Sequence, residues 1–173
     1  MMQEIKPSEI NGNFIKLIGS DWMLITSGNT GDYNMMTASW GGVGFLWARP
    51  VVTVYVRPER FTHGYIERTG RFTLTFFPED KRKDLAVMGK ESGRTFDKKH
   101  YPGLTAVELP SGQVTFDHAR IVLDCEVIFK DTMSPGKFVD REPLEKWYND
   151  EPGGGLHDIY IAEIKHAWIK TGD

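Results

Sequence analysis

Apolar positions in this chain recur mostly at every second residue, the spacing of a strand with one buried face. The run Phe72 to Phe77 (Phe-Thr-Leu-Thr-Phe-Phe) places Phe72, Leu74 and Phe76 on one side of such a strand. Trp22 to Thr26 is apolar and β-branched, Ser27 to Asp32 carries turn residues, and Tyr33 to Trp40 returns, so the three segments predict a hairpin. Val51 to Val56 is nearly continuous in apolar residues and predicts a central strand. Ala119 to Phe129 and Leu156 to Ile169 predict two long strands, which suit a barrel whose strands bend and continue beyond it. Helical spacing is confined to short pieces. Thr62 can cap a helix over His63 to Arg68 that Gly70 ends, Asp80 to Met88 repeats at Leu85 and Met88, and Glu142 to Tyr148 is a third. Gly41-Gly42-Val43-Gly44 reads as a flexible bend between two strands. The expected fold class is mainly β, a β-barrel with peripheral helices, rather than a doubly wound sheet.

Length changes this picture little: 173 residues fit one domain spanning 1–173, long enough to bury a real core. A formal charge of -3 gives no basic footprint, so no nucleic-acid partner is expected. The opening residues lack a basic segment followed by an apolar one, and the apolar neighbourhood Val43 to Val56 is broken by Arg49 and Pro50. The expectation is a cytoplasmic protein with no membrane partner. Cys125 is the single cysteine, which excludes an internal disulfide and a cysteine-based zinc cage. Alternation turns it away from Asp124 and Glu126, the setting of a buried, inert thiol. The five histidines are scattered, so no metal site is expected.

Candidate chemistry concentrates between Asn34 and Thr62. No GxGxxG, P-loop, HExxH or GxSxG pattern is present. Thr37 and Ser39 lie two apart, so their hydroxyls share one side of an extended chain. Arg57 and Arg60 follow the next strand immediately before a helix start at Thr62. Two guanidinium groups, several hydroxyls and a helix N-terminus suit a phosphate dianion. Each element alone is common, and without more the residues read first as solvated polar groups and an ordinary cap.

The order N-x-M-T-A-S-W (Asn34 to Trp40), a strand opening with Arg49-Pro50, and then R-P-x-R-F-T (Arg57 to Thr62) resembles the flavin reductase-like FMN-binding split-barrel family. The segment Gly89 to Arg94 is similar to that family's K-S-G-R-type loop, with Asp97-Lys98 following it. His157 to Ile164 is similar to its terminal H-x-x-Y-I-G-E-I strand. The resemblance implies a Greek-key split barrel, a homodimer, and FMN near the subunit interface. It further implies that Asn34, Met36, Thr37, Ala38, Ser39 and Trp40 line the flavin, and that Arg57, Arg60, Phe61, Thr62, Lys90 and Ser92 hold its ribityl phosphate end. NADH or NADPH is the implied electron donor, and the acceptor a small molecule or a protein. A flavoredoxin-like electron carrier and a non-catalytic FMN-binding protein are the alternatives. His157 is the candidate catalytic residue, placed near the flavin, with a structural histidine as the other reading. Met35 and Ala162 depart from the family pattern, and Ala162 is expected to narrow the space beside the cofactor.

Overall fold

The fold was analysed in a computed structural model that describes residues 2–148 and 155–172. Ten strands are β1 Met2–Ile5, β2 Met23–Asn29, β3 Asp32–Ala38, β4 Gly41–Leu46, β5 Arg49–Val56, β6 Arg71–Phe76, β7 Ala106–Glu108, β8 Val114–Phe116, β9 Ile121–Thr132 and β10 Asp158–Lys170. The helices are α1 Phe14–Lys16, which widens into the turn Leu17–Asp21, then α2 Phe61–Thr69, α3 Arg82–Lys90 and α4 Glu142–Trp147. The main sheet is antiparallel in the order β3-β2-β6-β9-β10-β5-β4, with β1 added to β10.

This order explains the barrel. β3 and β4 are the two ends of the strand path, yet only Ser39 and Trp40 separate them in the chain. The sheet therefore has to curl until its ends nearly meet, and it stays split between them. Alternate residues fill the interior: Met23 and Ile25, Val52 and Val54, Phe72, Leu74 and Phe76, Leu123 and Cys125, Tyr160, Ala162 and Ile164. Burial raises the Cys125 thiol well above its ordinary range, which keeps it inert. A second cluster of Leu24, Tyr33, Met35, Leu85, Met88, Val114 and Phe116 covers the outer face beneath α3 and the β7–β8 ribbon.

Four expectations need correction. The first hairpin turns on Thr30 and Gly31 alone, because Asn29 Oδ1 accepts the N–H groups of Gly31 and Asp32 and lets pairing continue to Asn29↔Asp32. The glycine-rich run is not a bend but strand β4, paired with β5 from Gly41↔Val54 to Leu46↔Arg49. At Gly41 φ is +154°, and a Cβ would stand 2.9 Å from the Thr53 carbonyl oxygen, so the strand begins where only glycine fits. Thr62 does not cap α2. Arg60 occupies that position, while Gly70 ends the helix in the left-handed conformation as expected. Ala162 belongs to the barrel interior and narrows nothing at the site. Asp124 also escapes the simple alternation: it faces outward from the barrel but is wholly buried, with Gln113 Nε2 donating to it.

Candidate functional site

At the split, among the described residues, β3 pairs with β2 alone and β4 with β5 alone, so backbone groups at the β3–β4 link are left for other partners. Two pockets adjoin there and share Met36 and Arg60. Every site residue expected from the sequence lines one of them.

The first pocket is an anion cradle. Asn34, Arg60, Phe61, Thr62, Lys90 and Ser92 line it together with Glu59, Gly93 and Lys98. Arg60 stands at the start of α2, where the first N–H groups of a helix lack internal acceptors. Its Nη1 donates to the Gly89 carbonyl at 3.0 Å, and its Nη2 is buried with no partner among the described residues. Lys98 is buried, and its Nζ donates to the carbonyls of Met35 and Met88, each at 2.8 Å. Two of its three hydrogens are thereby used. Burial, and then the Arg60 charge, lower the Lys98 ammonium to about 8, against an opposing pull from Glu91. Arg60 is lowered as well, by burial first and by Arg57 second. A buried ammonium and a half-buried guanidinium, each lowered by burial and by a neighbouring cation, suit an anion. Asn34 Nδ2 donates to Thr62 Oγ1 at 2.7 Å, which ties β3 to α2 and explains why Thr62 is buried rather than capping. Arg94 closes the outer side by donating to the Glu59 carbonyl at 2.7 Å and lying over the Phe61 ring.

The second pocket is aromatic. Met36, Thr37, Ala38, Ser39, Trp40, Tyr55, Arg57, Arg60 and His157 line it. The Thr37 hydroxyl donates to the Leu85 carbonyl and so fastens β3 to α3. Arg57 does not join Arg60 in the cradle: its Nη2 donates to the Trp147 carbonyl at 2.9 Å, and its guanidinium lies 5.2 Å from the centre of the Tyr148 ring. Trp40 meets Trp147 edge-on at 5.2 Å and the His157 ring at 5.3 Å. His157 is buried, with Nδ1 2.7 Å from the Tyr148 hydroxyl. Burial first and Arg57 second lower it to about 4, so the imidazole is neutral at pH 7.

The sequence reading missed Lys98, Tyr55 and Tyr148 as site residues. Outside the two pockets, His63, Glu67 and Asp158 come close enough to hold a metal ion. The Lys130 ammonium already lies 2.8 Å from Glu67 and 3.3 Å from Asp158, and the group is read as an ion-pair network.

Residues 16–173 match the family described as the flavin reductase like domain. The chain belongs to that family. The flavin reductase-like fold is also that of solved structures with low sequence identity. An FMN-binding protein from Thermus thermophilus, solved with bound p-hydroxybenzaldehyde, superposes with a TM-score of 0.70 at 19% identity, covering 98% of this chain and 83% of that one. A flavoredoxin from Methanosarcina acetivorans gives 0.65 at 18% identity, over 87% of this chain and 68% of its own. An NADH:FAD oxidoreductase from Streptomyces globisporus, in complex with NAD and FAD fragments, gives 0.64 at 14% identity, over 87% and 74%. No curated protein matches the chain. Among the described residues, no helix is long and apolar enough to cross a membrane.

Proposed function

We propose that the flavin reductase-like chain binds FMN as one domain, with the phosphate in the cradle and the ring system in the aromatic pocket. It would carry electrons from NADH or NADPH to a small-molecule or protein acceptor. The observation that carries this reading is Arg60 Nη2, a buried cationic donor without a partner among the described residues, beside the partly satisfied Lys98. An uncompensated buried cation is costly, and a phosphate dianion offsets that cost. The donor set fits the group: Arg60, Lys98, Ser92 and the start of α2 would hold its phosphate, with Thr62 Oγ1 fixed by Asn34. Ser39, Ala38, Trp40, Tyr55 and His157 would border its rings.

FMN when bound supplies the redox chemistry, and the chain binds it, orients it and sets its polar surroundings. No side chain here needs to act as a strong acid or base. His157, kept neutral, can offer one hydrogen bond, and Trp40 with Trp147 shields one side of the pocket from water. A flavoredoxin-like carrier is the second reading. Trp147 and Trp40 are 49% and 38% exposed beside the pocket, a surface on which a protein donor could dock.

We place this function in a homodimer in the cytoplasm. Phe45, Leu46 and Trp47 at the β4–β5 tip are exposed, and the exposed Phe129 lies beside Trp47. Both turn residues there, Trp47 and Ala48, have positive φ. Light scattering of the purified protein should give twice the chain mass.

The decisive experiment is an absorbance spectrum with and without FMN, followed by anaerobic addition of NADH and NADPH. Binding with bleaching by a nicotinamide is the expected result. Binding without bleaching favours the carrier, and no binding sinks both.

A further inference from the structure

We infer that Tyr148 is a positioning residue that fixes His157 as the Nε2–H tautomer, so the aromatic pocket presents a hydrogen-bond donor and selects a ligand edge bearing an acceptor. A neutral imidazole carries one N–H and one bare nitrogen, and its single close partner here decides which is which. That partner is the Tyr148 hydroxyl, 2.7 Å from Nδ1. Two arrangements are open to the pair. In one, the hydroxyl donates to a bare Nδ1. In the other, Nδ1–H donates to the phenol oxygen, whose hydrogen turns to Met133 Sδ at 3.5 Å.

The first arrangement wins on chemistry. A phenol is a far stronger acid than a neutral imidazole N–H, and a bare imidazole nitrogen is a far stronger acceptor than a phenol oxygen or a thioether sulfur. Arg57 adds to this preference, because its guanidinium lies over the Tyr148 ring and makes the hydroxyl a better donor. Burial, the larger influence, raises the Tyr148 hydroxyl and keeps it protonated at neutral pH. The charged groups that face the pair are Arg57, which disfavours a charged imidazole, and Glu59, which opposes it more weakly.

With Nδ1 occupied, the proton resides on Nε2. Among the described residues Nε2 meets no partner, and the ring lines the aromatic pocket beside Trp40. A carbonyl oxygen, an aromatic ring nitrogen or an anionic edge satisfies that donor, whereas an N–H edge does not. Tyr148 is not among the residues that line this pocket; its hydroxyl reaches the lining through His157, and Tyr148→Phe keeps the ring that meets Arg57. The tautomer follows from the geometry, and only the ligand class rests on the proposed FMN function.

The test starts with ligand-free protein labelled with nitrogen-15 at histidine. Long-range proton–nitrogen correlation at pH 7 should show a bare Nδ1 and a protonated Nε2 for His157. A protonated Nδ1 overturns the inference without any variant. Tyr148→Phe should shift the signal towards the Nδ1–H form, and an unchanged tautomer also overturns it. With FMN added, Tyr148→Phe should slow reduction by NADH or NADPH about 2- to 10-fold, the worth of one neutral hydrogen bond. In a His157→Gln background, whose amide donates without help, the same change should have no effect. An equal loss in both backgrounds would make Tyr148 merely structural. Failure to bind FMN would defeat the proposed function and leave the tautomer result standing.

Discussion

The two halves of the site share Arg60 and Met36 but treat burial in opposite ways. In the cradle, burial lowers Lys98 only to about 8, and the side chain stays a cation held by two carbonyl oxygens. In the aromatic pocket, burial takes His157 to about 4 and leaves it neutral against a tyrosine hydroxyl. The same desolvation leaves a cation that calls for a negative charge in one place and a neutral hydrogen-bond donor in the other. A ligand with a dianion at one end and a neutral planar ring at the other fits both.

Removing the cradle's cations should give the largest effect. Arg60→Ala combined with Lys98→Met is expected to weaken FMN about 100-fold or more, since each charge-assisted bond contributes roughly 1.5–3 kcal/mol. Arg57→Ala, which leaves the cradle intact and removes a half-buried charge already bonded to the Trp147 carbonyl, should cost about 3-fold or less. Calorimetric titration compares them. Equal losses would erase the division between the pockets.

Titration sharpens the contrast next. An anion needs Lys98 charged, so affinity for FMN should fall by up to about tenfold per pH unit above pH 8. The ligand-free fold should move the other way. Lys98 binds its proton less tightly in the folded chain than its ordinary 10.5, so between about 8 and 10.5 its contribution to stability rises with pH. Affinity flat from pH 7 to 10 would remove Lys98 from the cradle.

Gly93→Ala probes the cradle's shape rather than its charge. A Cβ at Gly93 would collide with Asn34 Oδ1 and stand 2.7 Å from Phe61. Overpacking of this kind costs about 1–3 kcal/mol, so FMN affinity should fall by about tenfold while the aromatic pocket keeps its Trp40 fluorescence. Gly93→Ala with unaltered affinity would show that the loop is not part of the cradle.

His157 bears on stability rather than on cradle affinity. Its folded value lies below the ordinary 6.5, so the unfolded chain takes up the proton first as pH falls. Stability should decline through this group between pH 6.5 and 4, and His157→Gln should flatten that part of the curve in thermal melts. An identical acid limb in the variant would locate the loss elsewhere.

The sequence was legible where one property sufficed. Alternation placed Phe72, Leu74 and Phe76 inside the barrel, and the residues from Asn34 to Thr62 named as flavin or phosphate contacts line one of the two pockets. It failed where neighbours decide. Lys98 stands between Asp97 and Lys99 and reads as one more surface charge, and only the fold buries it against the carbonyls of β3 and α3. Arg57 and Arg60 look like one pair, but across the turn that bonds Arg60 N to the Arg57 carbonyl only Arg60 reaches the cradle, while both line the aromatic pocket. The composition of Gly41 to Gly44 suggested slack, yet pairing with β5 makes it a strand. Asp124 has the expected outward direction, but the β7–β8 ribbon covers that face.

β10 has a consequence for which parts of the site can move. It is bonded to β9 along one side and to β5 and then β1 along the other. Asp158, its first residue, is further clamped by Thr132 at 2.6 Å and His63 at 2.7 Å. Amides of such a doubly flanked strand open only with the whole protein, so their exchange with deuterium is expected to be among the slowest in the chain. His157 is mounted at the end of that rigid spine, and α4 is a short surface helix with no buried residue. Breathing of the aromatic pocket therefore originates on the Trp147–Tyr148 side, and the imidazole serves as its stationary wall.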